Sequence, residues 1–255
     1  MMRERKDQAM NRMKRFLALC AMVLLAGAAG ISHATSLAAV NLAQIVENTE
    51  AAFVGTVRSV EVVETPKGWA EKVTAEVKEP ILGGVQAGQT VVWLQYRVSE
   101  IARMPGMPKY AEGEEHLVFL AGKGTGTDFQ AAYGLGQGSF RVHRERDTGR
   151  AFVRNEFMNA QLFMGIDTEE LAKAVVEADP ERSRLAPEVK TATVTRQQAQ
   201  FRTQRMGATD LETIKQAAKA LGSVKNPSAR FAAKDSDTTE SRSPVKTFVL
   251  QGHSN

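Results

Sequence analysis

AAFVGTVRSVEVVETPKGWAEKVTAEVKEPILGG, residues 51–84, holds the pattern on which the fold turns. Its first half, residues 51–64, is rich in valine and reads as a strand, with Gly55 as a bulge or close-packing point. Thr65–Trp69 is a turn. In the second half Val73, Ala75 and Val77 alternate with Lys72, Thr74, Glu76 and Lys78, the period of a strand with one wet face. Pro80 stops it and Gly83-Gly84 opens the next turn.

Upstream, Asn41 with Gln44 three residues on forms a capping box for a short helix bearing Leu42, Ile45 and Val46. Downstream, further strands are expected at 90–98 (TVVWLQYRV), 116–122 (HLVFLAG), 129–135 (FQAAYGL), 139–145 (SFRVHRE) and 151–157 (AFVRNEF). Short strands separated by glycine-bearing turns imply a mainly β domain over residues 35–165, a small barrel or sandwich. Beyond it, Asp167–Glu170 opens a short helix over 171–178, and residues 178–208 are mostly polar. Thr209 with Glu212 caps a second amphipathic helix that ends at Gly222. Residues 166–222 are therefore a helical extension, and the Ser/Asp/Lys/Pro-rich residues 223–255 a disordered tail.

Residues 1–34 have the anatomy of a secretory signal peptide: a basic stretch ending at Lys14 and Arg15, an apolar run from Phe16 to about Ile31, and the small-residue site Ser32-His33-Ala34. Cleavage is expected between Ala34 and Thr35, with Met10 or Met13 as alternative starts. The apolar run is shorter than the roughly 20 residues of a membrane-spanning helix, so no stable membrane insertion is expected after leader removal. Cys20, the only cysteine, lies near the start of that run and is not placed for lipidation. The processed chain would have no thiol chemistry and no disulfide. Removing the leader takes six basic and two acidic residues from totals of 33 and 29, leaving 27 of each. A nucleic-acid partner would want a lasting basic excess, so none is expected. Export to a bacterial periplasm or to the medium is the expected localisation.

The order Ala51–Val57, Trp69, Glu79–Gly84, Gly106-Met107-Pro108, Gly113–Leu120 and Gly136–Phe140 resembles a group of uncharacterised exported bacterial proteins. The same layout is similar to the OB-type barrel of netrin-like modules and tissue inhibitors of metalloproteinases. That resemblance spans residues 37 to about 143 and implies an OB-like barrel with a non-catalytic binding role. The inhibitors present a disulfide-held N-terminal cysteine to a catalytic zinc, whereas this chain would begin Thr35-Ser36-Leu37. An inhibitor-like module is therefore kept as an alternative only.

Catalytic and cofactor patterns are sparse. His116, His143 and His253 show no metal-ligand spacing, and Gly122–Thr127 lacks both the order and the following helix of a phosphate loop. No cofactor is expected. Ser139 and His143 share a strand face at about 13 Å, beyond hydrogen-bond reach. Arg141, Arg144, Arg146, Arg150 and Arg154 form the densest basic run, interleaved with Glu145, Asp147 and Glu156 as on a solvated hairpin.

The candidate binding loop is MPGMPKY, residues 104–110. Pro105 and Pro108 stiffen its backbone around Gly106, while Met104, Met107 and Tyr110 offer adaptable apolar surface. Those side chains either plug the end of a barrel or touch a partner, with the plug favoured. The reading is thus an exported non-catalytic binding or accessory protein whose partner is another exported protein. The alternative is a cell-envelope enzyme, hydrolase-like, whose site forms only in three dimensions.

Overall fold

The computed structural model describes residues 38–121, 131–184, 187–203 and 207–233. The leader with its Ala34/Thr35 cleavage site, the Gly122–Thr127 loop and the end of the tail lie outside the described residues.

Helix α1 (Leu42–Glu47) starts where the capping box places it. Asn41 Oδ1 accepts from the Gln44 amide and Gln44 Oε1 accepts from the Asn41 amide, both at 2.9 Å. Strands β1 (Thr49–Thr65) and β2 (Gly68–Leu82) form the long antiparallel hairpin expected from residues 51–84. The register shifts on both sides of Gly55, between Val54 and Gly55 and between Val57 and Ser59. A Cβ on Gly55 would stand 2.8 Å from the Glu76 carbonyl oxygen, so bulge and close approach coincide there.

Strand β3 (Thr90–Tyr96) adds to β2, and β4 (Glu115–Ala121) adds to the other side of β1. Then follow β5 (Ser139–Arg144), β6 (Ala151–Arg154) and the two-residue β7 (Thr209–Asp210). The result is a seven-stranded antiparallel sheet of order β3-β2-β1-β4-β5-β6-β7. The protein is mainly β, but the pairings run in a line with β3 and β7 at the edges.

Two strand expectations need correction. Of the expected strand 129–135 only residues 131–135 are described; among them Ala132 makes an isolated bridge to Leu120, and Tyr133–Gly138 is turn. Gly134, Leu135 and Gly136 all have positive φ (64°, 53° and 90°), which an extended strand does not allow. Thr209 is a ladder residue rather than a helix cap: it pairs with Val153, and its hydroxyl accepts from Asn159 Nδ2 at 2.9 Å. The cap of α5 (Leu211–Gly222) is Asp210, whose Oδ1 accepts from the Thr213 amide at 3.1 Å.

Helix α2 (Thr168–Ala178) is capped by Asp167, followed by the single turn α3 (Pro180–Ser183). Helix α4 (Pro187–Thr203) occupies the stretch read as merely polar. The tail is also folded at its start: α6 (Pro227–Arg230) leads to Phe231, fully buried, and the Asp167 amide donates to the Phe231 carbonyl at 2.6 Å. The aromatic anchor holds a segment whose polar composition suggests disorder.

One core lies between the sheet and these helices. Ala52, Val54, Leu117, Phe119, Phe140 and Val153 from the strands meet Leu171, Phe201, Ile214, Leu221 and Phe231. It runs across residue 165, joining the C-terminal helices to the sheet. Gly222 sits where a Cβ would lie 2.5 Å from Leu82 Cδ2, and Lys215 pairs with Glu79 of β2 at 2.7 Å. A second core covers the opposite face, built from Phe53, Val57, Val73, Ala75, Val77, Val91, Trp93, Val118 and Leu120. Among the described residues no helix contributes to that cluster. Its lid is the segment after β3, with Tyr110 inserted into the cluster.

Candidate functional site

The segment after β3 divides into an outer part and an inner part. In the inner part, Pro108 is buried and its carbonyl accepts from Gln95 Nε2 at 2.8 Å. Pro108 lies against Gly136, where a Cβ would come within 2.2 Å of Pro108 Cδ, which with φ +90° leaves room for glycine alone. Tyr110 is 3% exposed and stacks edge-on to Trp93 at 5.3 Å. Its hydroxyl donates to Ser139 Oγ at 2.9 Å. Burial pushes the phenol up to about 12, against the lowering hydrogen bond with Ser139. Tyr110 thereby links β3 to β5 through side chains, with its ring buried in the second core.

His116 completes this end of the second core. It is 2% exposed, its ring is 4.8 Å from that of Tyr110, and Nε2 lies 3.4 Å from Glu114 Oε2. Burial pushes the imidazole down to about 4, opposed by the hydrogen bond and charge of Glu114 and reinforced by Arg141 and His143. The ring is thus neutral at neutral pH, and among the described residues Nδ1 has no hydrogen-bond partner. A carboxylate–imidazole pair is a general-base arrangement when it opens on a substrate cavity and a nucleophile. Here the nearby Ser139 hydroxyl is engaged by Tyr110. Two shallow grooves of about 330 and 350 Å³ lie elsewhere, one by Glu50, Gly84 and Val91, the other by Arg182, Gln197 and Asp210. Neither is lined by His116 or Tyr110. His143 is on a wet strand face. Among the described residues no three His, Cys, Asp or Glu side chains converge as metal ligands.

The outer part, residues 97–104, is organised by a group that motif reading passes over. Glu71 is fully buried. It accepts from Arg97 Nη1 and Arg103 Nε on one carboxylate oxygen, and from Gln95 Nε2 at 3.4 Å on the other. Arg97 then reaches back, donating from Nε to the Ser99 carbonyl at 3.2 Å and from Nη2 to the Glu100 carbonyl at 2.9 Å. The Val98 and Ser99 amides both donate to the Ala102 carbonyl, and Arg97 and Arg103 form a bridge. A single buried carboxylate therefore fixes both ends and the turn of this loop. The signal was present in the sequence: Glu71 is in phase with Val73, Ala75 and Val77, an acid on the apolar side of the period.

On this anchored frame the apolar side chains point outward. Ile101 is 91% exposed, Val98 65% and Met104 36%. Pro105 is exposed, while Gly106 and Met107 are half-buried, with the Met107 amide closing a turn onto the Met104 carbonyl at 3.3 Å. Of the seven residues 104–110, Met104 and Pro105 face solvent and Pro108 and Tyr110 face the core. The exposed apolar surface extends back from residues 104–105 to Val98.

Among the described residues no helix is long and apolar enough to cross a membrane. No protein-family model, no curated protein and no solved structure matches this chain.

Proposed function

We propose that this is an exported, non-catalytic binding or accessory protein that meets another exported protein through the loop of residues 97–105. The observation that carries the reading is the pairing of opposites in one short segment. Val98, Ile101 and Met104 are held out in water, while Glu71, Arg97 and Arg103 fix their backbone from beneath. Scattered exposed apolar residues are ordinary on a protein surface. Three on one turn, preordered by a buried ion network, lower the entropy lost on docking and make a compact anchor for a partner's apolar pocket.

Export rests on residues 1–34, and mass spectrometry of the secreted protein should find an N-terminus at Thr35. In this reading the sheet is the open form of an OB-like, netrin-type barrel. The linkage of β3 to β5 through Trp93, Tyr110 and Ser139 supports it, because it joins by side chains the two strands that a closed barrel would bring together. The equal numbers of acidic and basic residues after the leader support a protein partner over nucleic acid. The test is affinity capture from an envelope extract with the wild-type protein and the Val98→Ser/Ile101→Ser double variant. A partner retained by the first and lost by the second supports the reading; the same partner list with both removes the loop from it.

A further inference from the structure

The face of β5 and β6 turned away from the helix-side core carries a second surface. Arg141 and Arg154 are direct cross-strand partners, as are His143 and Phe152, so all four side chains share one face. That face belongs to neither core: β5 and β6 give Phe140, Val142, Ala151 and Val153 to the helix side, and nothing to the cluster around Trp93. Arg150 extends the patch, its guanidinium 5.1 Å from the Phe152 ring centroid. Two acids lie beside the patch. Glu114 reaches Arg141 at 3.3 Å and Asp210 reaches Arg150 at 3.5 Å, and among the described residues Arg154 makes no ion pair. Of the acids interleaved in the sequence, Glu145 lies beyond the end of β5, where it accepts from Thr148 Oγ1 at 2.6 Å.

Like charges placed directly opposite across a ladder oppose folding. Arg141 facing Arg154 is such a pair, and Arg154 is exposed on the face away from the helix-side core. We infer that the Arg141/His143/Arg150/Phe152/Arg154 face binds an acidic peptide segment in extended conformation. Residues two apart on a strand stand about 7 Å apart, and an extended peptide with a carboxylate at every second position presents its charges at the same spacing. Arginine forks match carboxylates in a bidentate manner, and Phe152 supplies an apolar floor between them. The patch covers only two residues of each strand, fitting two or three carboxylates rather than a run of backbone phosphates. The inference does not depend on the apolar loop and stands on the ladder register alone.

The test is fluorescence anisotropy of the purified protein with a labelled peptide of alternating glutamate and threonine, at low and physiological salt. Binding that weakens with salt is expected, about tenfold weaker in Arg154→Gln and only partly restored in Arg154→Lys, which keeps the charge but loses the fork. The Arg154→Gln protein should melt no lower than wild type, since it loses a like-charge contact, whereas a structural role for Arg154 would lower the melting temperature. Val98→Ser/Ile101→Ser should bind the peptide as wild type does, so loss of the loop's partner and loss of this site are separable. Equal peptide affinity in Arg154→Gln overturns the inference. So does absence of binding at low salt, or retention of the protein by phosphatidylglycerol vesicles through Arg154 without peptide binding.

Discussion

On the helix side of the sheet, Ala52, Val54, Leu117 and Phe119 meet Leu171, Phe201 and Ile214 in a continuous apolar layer. On the other side, Phe53, Val57, Trp93 and Val118 form a smaller layer that gives way to Glu71, Gln95, His116 and Ser139. The first face is closed by burial of apolar area, which tolerates any side chain of the right volume. The second is closed by a loop that buries few of its apolar groups and is tied down by directional bonds to buried polar atoms. The difference teaches where function is placed. A loop held by apolar packing would have to turn its apolar side chains inward, whereas one held by a carboxylate and two guanidinium groups leaves Val98, Ile101 and Met104 free to face outward.

The comparison is broken most severely by removing the two anchors in turn. Glu71→Ala leaves the buried Arg97 unpaired and should cost about 3–5 kcal/mol, as breaking one partner of a buried pair does. Phe201→Ala on the helix side should cost a similar amount, about 3–5 kcal/mol, through the cavity it leaves. Rescue separates the two: Glu71→Leu combined with Arg97→Leu should recover much of the stability but release residues 98–104 to rapid hydrogen exchange. Equal protection of the loop in that double variant would refute the anchoring role.

A smaller effect follows from His116. Its folded pKa, about 4, lies below the unfolded value of 6.5, so the unfolded chain binds more protons between those limits. Stability contributed by the neutral ring is full above pH 6.5, falls as pH drops toward 4, and is lost below it. Thermal melts across that window should show the decline, and His116→Gln should flatten it. An unchanged slope would place the acid sensitivity elsewhere.

Tyr110→Phe removes the hydrogen bond to Ser139 while keeping the ring against Trp93, with an expected loss of about 0.5–1.5 kcal/mol in denaturant melts. The smallest effect on stability belongs to Ile101→Ser, within about 0.5 kcal/mol, because the side chain is 91% exposed. Any larger loss would mean that Ile101 packs on the protein and is not a docking group.

Much of this architecture was legible in the residues. Strict alternation at 72–78 and the valine run at 51–64 define the central hairpin, and the Asn41/Gln44 box defines α1. Helix α4 was not legible, because its buried stripe consists of little beyond Val194, Gln197 and Phe201 among polar neighbours. The two residues of β7 carry no periodicity at all; the ladder with β6 defines them. For the loop, the prolines mark a restricted backbone, but which side chains face outward depends on Glu71, some thirty residues earlier in the chain. Residue 71 betrays itself only as an acid in an apolar phase, and nothing local says that Arg97 and Arg103 are its partners.

The most direct test places a photocrosslinking residue at position 101, and at the exposed control position 146, in the protein expressed in its own envelope, with and without Glu71→Gln. The account predicts a discrete crosslinked partner from position 101, none from position 146, and loss of the position-101 adduct when Glu71 is exchanged. A position-101 adduct that survives Glu71→Gln, or crosslinking no different from the control, would contradict it.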